Sequence, residues 1–160
     1  METKTLKIEK ILSCSTAEVF NAFATAEALK KWWGPVESPI EVLKLEFRPQ
    51  GVFHYKMNGE HIYYGIFKYL EIKEPEYIVW INSFANSEGE IVKAPFEGID
   101  FALEVLNRVS FSEISGKTLL TMTSQPVNAT ESEINCFNSI FENMLQATDA
   151  MLGELEKYLK

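Results

Sequence analysis

Histidine, cysteine, arginine and aspartate each occur only twice in these 160 residues, and each scarcity removes a class of chemistry. The two cysteines, Cys14 and Cys136, lie far apart in sequence. They read as small hydrophobes in a reducing compartment rather than as a disulfide framework. Neither has a histidine neighbour in sequence to make it a nucleophile. His54 and His61 flank the Asn58-Gly59 turn, with only Glu60 as a third donor group. That set is too sparse for a tetrahedral metal site, so both are expected on solvated strand positions. With eight glycines and none at phosphate-loop spacing, no nucleotide cradle is expected. The formal net charge of −8 disfavours a phosphate backbone as partner. No apolar run reaches the ~20 residues a membrane helix needs, and the first residues lack the apolar core of a signal peptide. These absences give an expected cytoplasmic chain without metal or cofactor, with no nucleic acid partner and no membrane span.

What remains is ordinary for one globular domain: 46% hydrophobic residues and 24% charged. Leu6 to Leu12 alternates as a strand. Ser15 and Glu18 then have capping-box spacing ahead of an apolar helical face formed by Val19, Phe20 and Phe23. A second short helix over Ala26–Trp32 should end at Gly34-Pro35. The period then changes to two, and the strands expected are Glu41–Arg48, Val52–Met57, His61–Ile72, Tyr77–Phe84, Glu104–Ser112 and Lys117–Gln125. Asn58-Gly59 and Ser115-Gly116 are hairpin signals, so the sheet should be an antiparallel meander. The connection Ala85–Phe101 is either a functional loop or an extended hairpin arm. From Thr130, capped with Glu133, apolar residues recur at three- and four-residue steps to Leu159. That pattern predicts one helix of about 29 residues, roughly 43 Å long.

These elements make an α+β domain spanning residues 1–160, with six or seven antiparallel strands curved around a long C-terminal helix. Seven strands at ~4.8 Å spacing extend about 30 Å, whereas one helix covers about 10 Å. The uncovered apolar surface must be filled by curling, by the two short helices or by a ligand. Strand parity places Phe53, Tyr55 and Met57 on one face, with Phe67 on the next strand. Val109 and Phe111 face Leu120 and Met122 at the other side. Whether Trp80 points inward is open, because one bulge reverses the parity. A solid aromatic core and a usable pocket are both compatible with this pattern.

Several segments carry a resemblance: Trp32-Trp33-Gly34-Pro35, then Phe47-Arg48-Pro49-Gln50-Gly51-Val52-Phe53, Gly65-Ile66-Phe67, Asn82-Ser83-Phe84 with Glu88-Gly89, Val109-Ser110-Phe111, and Asn128-Ala129-Thr130-Glu131. In this order they resemble bacterial proteins similar to the C-terminal domain of the activator of the heat shock protein 90 ATPase. That group belongs to the START-like, or SRPBCC, superfamily, which includes the birch pollen allergen and polyketide cyclases. The resemblance implies a helix-grip fold with an apolar cavity between sheet and C-terminal helix. It departs at Gln50, where relatives usually have glycine, and at Ala147-Thr148, where many have Gly-Trp. Losing that tryptophan implies a wider or differently shaped pocket.

The expected lining of the cavity is Trp32 and Trp33 at its mouth, then Phe47, Arg48, Phe53, Tyr55, Met57, Phe67, Trp80, Phe111 and Met122 from the sheet. The C-terminal helix would add Phe141, Met144, Leu145 and Thr148. Arg48 would pair with Glu46 or Glu71, or meet a ligand acid, and Asn82 and Asn107 are further polar candidates. Three functions follow: binding of a small apolar molecule, a co-chaperone or stress-response role, or cyclase-like catalysis. The partners expected are therefore a small apolar molecule and, secondarily, a chaperone or a second copy of the chain. No constellation of nucleophile and base demands an enzyme.

Overall fold

The computed structural model of the chain describes residues 3–160. The first strand, β1 (Leu6–Leu12), is followed by α1 (Thr16–Asn21) and α2 (Ala26–Trp32). The Ser15 side chain accepts from the Glu18 amide while Glu18 reaches back to the Ser15 amide, so the predicted capping box forms. Thr25 caps α2 in the same way, accepting from the Ala28 amide. Then come β2 (Ile40–Leu45), β3 (Val52–Asn58), β4 (Ile62–Lys73), β5 (Tyr77–Ala85), β6 (Val105–Ile114) and β7 (Lys117–Pro126). The sheet is antiparallel with order β1-β7-β6-β5-β4-β3-β2, so the first strand returns to pair with the last. Its inner face is covered by the helices, which is the helix-grip arrangement expected.

Turn chemistry explains the two hairpins differently. Ser115 and Gly116 both have positive φ, at 49° and 79°, and Ile114 pairs directly with Lys117. This is the two-residue turn whose twist matches the strands. At the other hairpin Asn58 pairs with Ile62, leaving Gly59, Glu60 and His61 as a three-residue loop. Gly59 is needed there for space, since a Cβ would run into the Ser38 side chain.

The C-terminal segment is not one helix. It divides into α3 (Glu131–Ser139) and α4 (Phe141–Leu159), with Ile140 at φ −104° and ψ 12° between them. Ser139 Oγ donates to the Cys136 carbonyl at 2.8 Å, a local bond that competes with the helical ladder. The apolar face continues through the break, which is why periodicity alone reads as a single helix. The helix that grips the sheet is thus α4, about 28 Å long. It buries Met151, Leu152 and Leu155.

The second expected strand is shorter than predicted. Pairing of β2 with β3 slips at Leu43 and ends at Leu45, before Phe47 and Arg48 are reached. His54 also departs from the expected solvated position. It is only 7% exposed, on the outer face of the sheet, with Nε2 3.0 Å from the Asn86 carbonyl. What buries it is the β5–β6 connection, which a one-strand reading cannot see. That connection begins as a stub, with Ala85 bridged to Ile91, and continues as an irregular strap to Glu104.

Candidate functional site

One end of the interior is solid. Phe67 and Trp80 stack at 4.8 Å with planes 16° apart, and Trp33 meets both edge-on. Phe53 packs on Phe67, Phe23 on Trp32, and Phe20 on Phe111. Trp80 is fully buried and points inward, which answers the parity question. Trp32 is not at a mouth: its Nε1 donates to the Ala22 carbonyl at 2.9 Å and ties α2 to α1.

The other end is open. A cavity of about 240 Å³ lies between β5 and α4, bounded by Trp33, Tyr55, Met57, Asn82, Thr148 and Met151. A second space of about 210 Å³ shares Trp33, Asn82, Thr148 and Met151 with it and extends past Asn107, Met122 and Met144. The shared walls make these two lobes of one site. Phe84 and Phe101 stand at the edge of the first lobe, Phe101 being carried there by the strap. The predicted lining residues therefore separate. Trp33, Tyr55, Met57, Met122, Met144 and Thr148 border the void. Phe53, Phe67, Trp80 and Phe111 belong to the packed end. Phe47 is half-buried against Phe20 and Tyr69. Phe141 lies near Phe137 beneath Lys4, and Leu145 is half-buried beside neither lobe. Arg48 does not line the cavity: its side chain is exposed, past the end of β2, and makes the expected pair with Glu46 at 3.2 Å.

Polar groups in the walls are few and mostly occupied. The Tyr55 hydroxyl donates to Asn82 Oδ1 at 3.4 Å. Burial pushes the Tyr55 phenol up to about 12, partly offset by hydrogen bonding with the Trp33 and Asn82 side chains. It is a neutral donor at any physiological pH and no base. Gly65 makes this placement possible. It lies opposite Tyr55 in the register, and a Cβ there would overlap the Tyr55 ring. Asn107 accepts from Ser124 Oγ and donates to the Val105 carbonyl at 3.2 Å. With Tyr55 on its oxygen, Asn82 keeps Nδ2 free, making no hydrogen bond among the described residues. Among the described residues no Lys, Arg, His, Asp or Glu borders either lobe. Sequence reasoning missed Val105 and Met151 as walls, and both border both lobes. It did single out Ala147-Thr148, and both residues border both lobes.

Among the described residues no three His, Cys, Asp or Glu side chains converge on a metal position. Among the described residues no helix is long and apolar enough to cross a membrane.

Comparison with known proteins agrees with this geometry. Protein Ms6760 from Mycobacterium smegmatis superposes with a TM-score of 0.79 at 20% identity, covering 100% of this chain and 96% of its own. A protein from Staphylococcus epidermidis gives 0.80 at 25% identity, covering 99% and 91%. The AHSA1 protein from Silicibacter pomeroyi gives 0.72 at 14% identity, covering 98% and 97%. No curated protein sequence matches the chain. A family model, described as activator of Hsp90 ATPase homolog 1-like protein, matches residues 13–160. Helix-grip topology, a cavity under α4 and a match over nearly the full length lead to one statement: the chain belongs to the activator of Hsp90 ATPase homolog 1-like family.

Proposed function

We propose that this protein binds a small, uncharged and largely apolar molecule in the two-lobed cavity between β5, β6 and α4, without catalysing its conversion. The observation that carries the reading is the chemistry of the walls among the described residues: apolar surface, no carboxylate or cationic side chain, and a free amide donor, Asn82 Nδ2. Such a site favours a ligand with an acceptor oxygen on an apolar body, because a buried charge would find no counter-charge. Thr148 borders both lobes, on the helix side of the space. Thr148→Trp should fill the shared wall of both lobes while leaving the packed aromatic end intact.

The test uses 1-decanol as a neutral probe, followed by thermal unfolding and native mass spectrometry. Wild type should retain the probe and be stabilised by about 2.7 kcal/mol at a hundred times the dissociation constant. The Thr148→Trp variant should fold but show neither effect. Equal stabilisation of both proteins would place the probe elsewhere, and no stabilisation of wild type by any neutral amphiphile would end the reading.

The family description favours a second reading, in which the protein stimulates a chaperone ATPase. With a net charge of −8 it would need a basic face on that chaperone. An ATPase rate unchanged by the added protein removes it. The two free cysteines fit a cytoplasmic setting for either role.

A further inference from the structure

The outer face of the sheet carries a second concavity, which shares only Ser83 with the helix-grip cavity among the described residues. Its floor is Val52, Ile66 and Ile81 on β3, β4 and β5, and its wall is Ile91 with Gly89 from the turn after β5. Its volume is about 400 Å³, within the range of small-molecule sites. The turn is held down firmly. Asn86 Oδ1 accepts from the amides of Glu88 and Glu90, and the Asn86 carbonyl bonds the buried His54. Strand alternation directs Ser83 to this face, beside its cross-strand partner Ile66, although Ser83 also touches the edge of the inner cavity between Asn82 and Phe84. Ser83 is 8% exposed, and its Oγ has no hydrogen-bond partner. A buried hydroxyl left unsatisfied is costly, so it marks a place where a partner group is missing. Lys68 also borders the groove and is exposed, with no carboxylate within 4 Å among the described residues. It pairs with Ile81 across β4 and β5, hence lies diagonal to Ser83, about 7–8 Å away between backbones. The carboxylate on the rim, Glu104, accepts from Asn128 Nδ2 at 3.2 Å.

We propose that this groove is a second ligand site, specific for a small amphiphilic monocarboxylate. The apolar chain lies over Val52, Ile66, Ile81 and Ile91. The carboxylate bridges the Lys68 ammonium and the Ser83 hydroxyl, which donates its proton to it. Charge separates the two sites among the described residues: no cation borders the inner cavity, and Lys68 borders the outer groove.

Decanoate and 1-decanol are the probes, titrated at low salt into the full chain and followed by amide chemical shifts and calorimetry. Decanoate should shift the amides of Lys68, Ile81, Ser83 and Ile91, and bind Thr148→Trp as tightly as wild type. Lys68→Met and Ser83→Ala should each weaken decanoate at least fivefold, and Lys68→Met, which is remote from the inner cavity, should leave 1-decanol unchanged. Both variants should fold: Lys68 is on the surface, and Ser83→Ala removes an unsatisfied polar atom. No decanoate binding, binding insensitive to both variants, or binding abolished by Thr148→Trp would each overturn the proposal. Because 1-decanol reports only on the inner cavity, failure of that reading is seen separately.

Discussion

At the scale of single residues, the most informative position is one where side chain and backbone disagree. Gln50 has φ 69°, in the left-handed region, while its amide donates to the Tyr69 carbonyl at 2.8 Å. For a residue with a Cβ this conformation costs about 1–2 kcal/mol. Glycine avoids that cost but loses more freedom on folding, by roughly 0.5–1 kcal/mol. The difference favours Gln50→Gly by about 0.5–1 kcal/mol. Urea unfolding should show a higher midpoint with an unchanged slope. A lower midpoint would mean that the glutamine side chain makes a compensating contact. The resemblance to relatives with glycine here was legible in the sequence. Its physical meaning was not, because a dihedral angle is invisible without coordinates.

At the scale of elements, the strap between β5 and β6 decides how open the cavity is, since it carries Phe101 to the edge of the first lobe. Its fastening is Lys93, whose Nζ lies 2.6 Å from Asp100 Oδ1, 2.6 Å from Glu133 Oε2 and 2.8 Å from the Phe101 carbonyl. Glu133 is also the reciprocal partner in the Thr130 capping box, so one carboxylate joins strap and α3. The Lys93 hydrogen bond, then the Thr130 backbone, hold the Glu133 carboxyl below its ordinary value of 4.5, against the opposing effect of burial. Asp100 is lowered chiefly by the same lysine. Because both folded values are depressed, their contribution is complete above the ordinary carboxylate range and fades as pH falls through the depressed values. Lys93 is raised by its bonds to Asp100 and Glu133, so its share persists below 10.5 and is lost as pH climbs through the raised value. Replacing Lys93 with Met should speed amide exchange across residues 92–104 by a few fold, the modest effect expected for losing solvent-screened ion pairs. It should also flatten the acid limb of the stability curve. An acid limb as steep as wild type would show that other carboxylates carry it. The strap's length and glycines were visible in the sequence, but its fastening pairs residues forty positions apart. Likewise the helix break at Ile140 was hidden, because Phe137, Phe141 and Met144 keep the spacing of one continuous helix.

At the scale of the molecule, the interior is divided. The strand pattern predicted both the aromatics and the excess of sheet over helix, so the fold was legible, while a solid core and a void were left equally open. Which aromatics fill and which line was not legible. Phe53, Phe67 and Phe111 share a face with Tyr55, Met57 and Met122, and only the placement of α1, α2 and the divided C-terminal helices separates them. Local stability should follow that division. Where rings interlock, around Phe67, Trp80 and Val109, little can open without unfolding the sheet; around α3, the strap and the Ala147–Met151 turn of α4, packing on the cavity side is missing. Native-state amide exchange should therefore show two tiers. The amides of Phe67, Tyr69 and Trp80 should exchange only through global unfolding, with the full denaturant dependence. Those of α3 and residues 92–104 should exchange through smaller openings with shallow dependence. Saturating the cavity with 1-decanol should raise the second tier more than the first, because a ligand adds the contacts that tier lacks. A single tier across the sheet and both helices would mean that the void is no weakness, and that the walls hold their shape without an occupant.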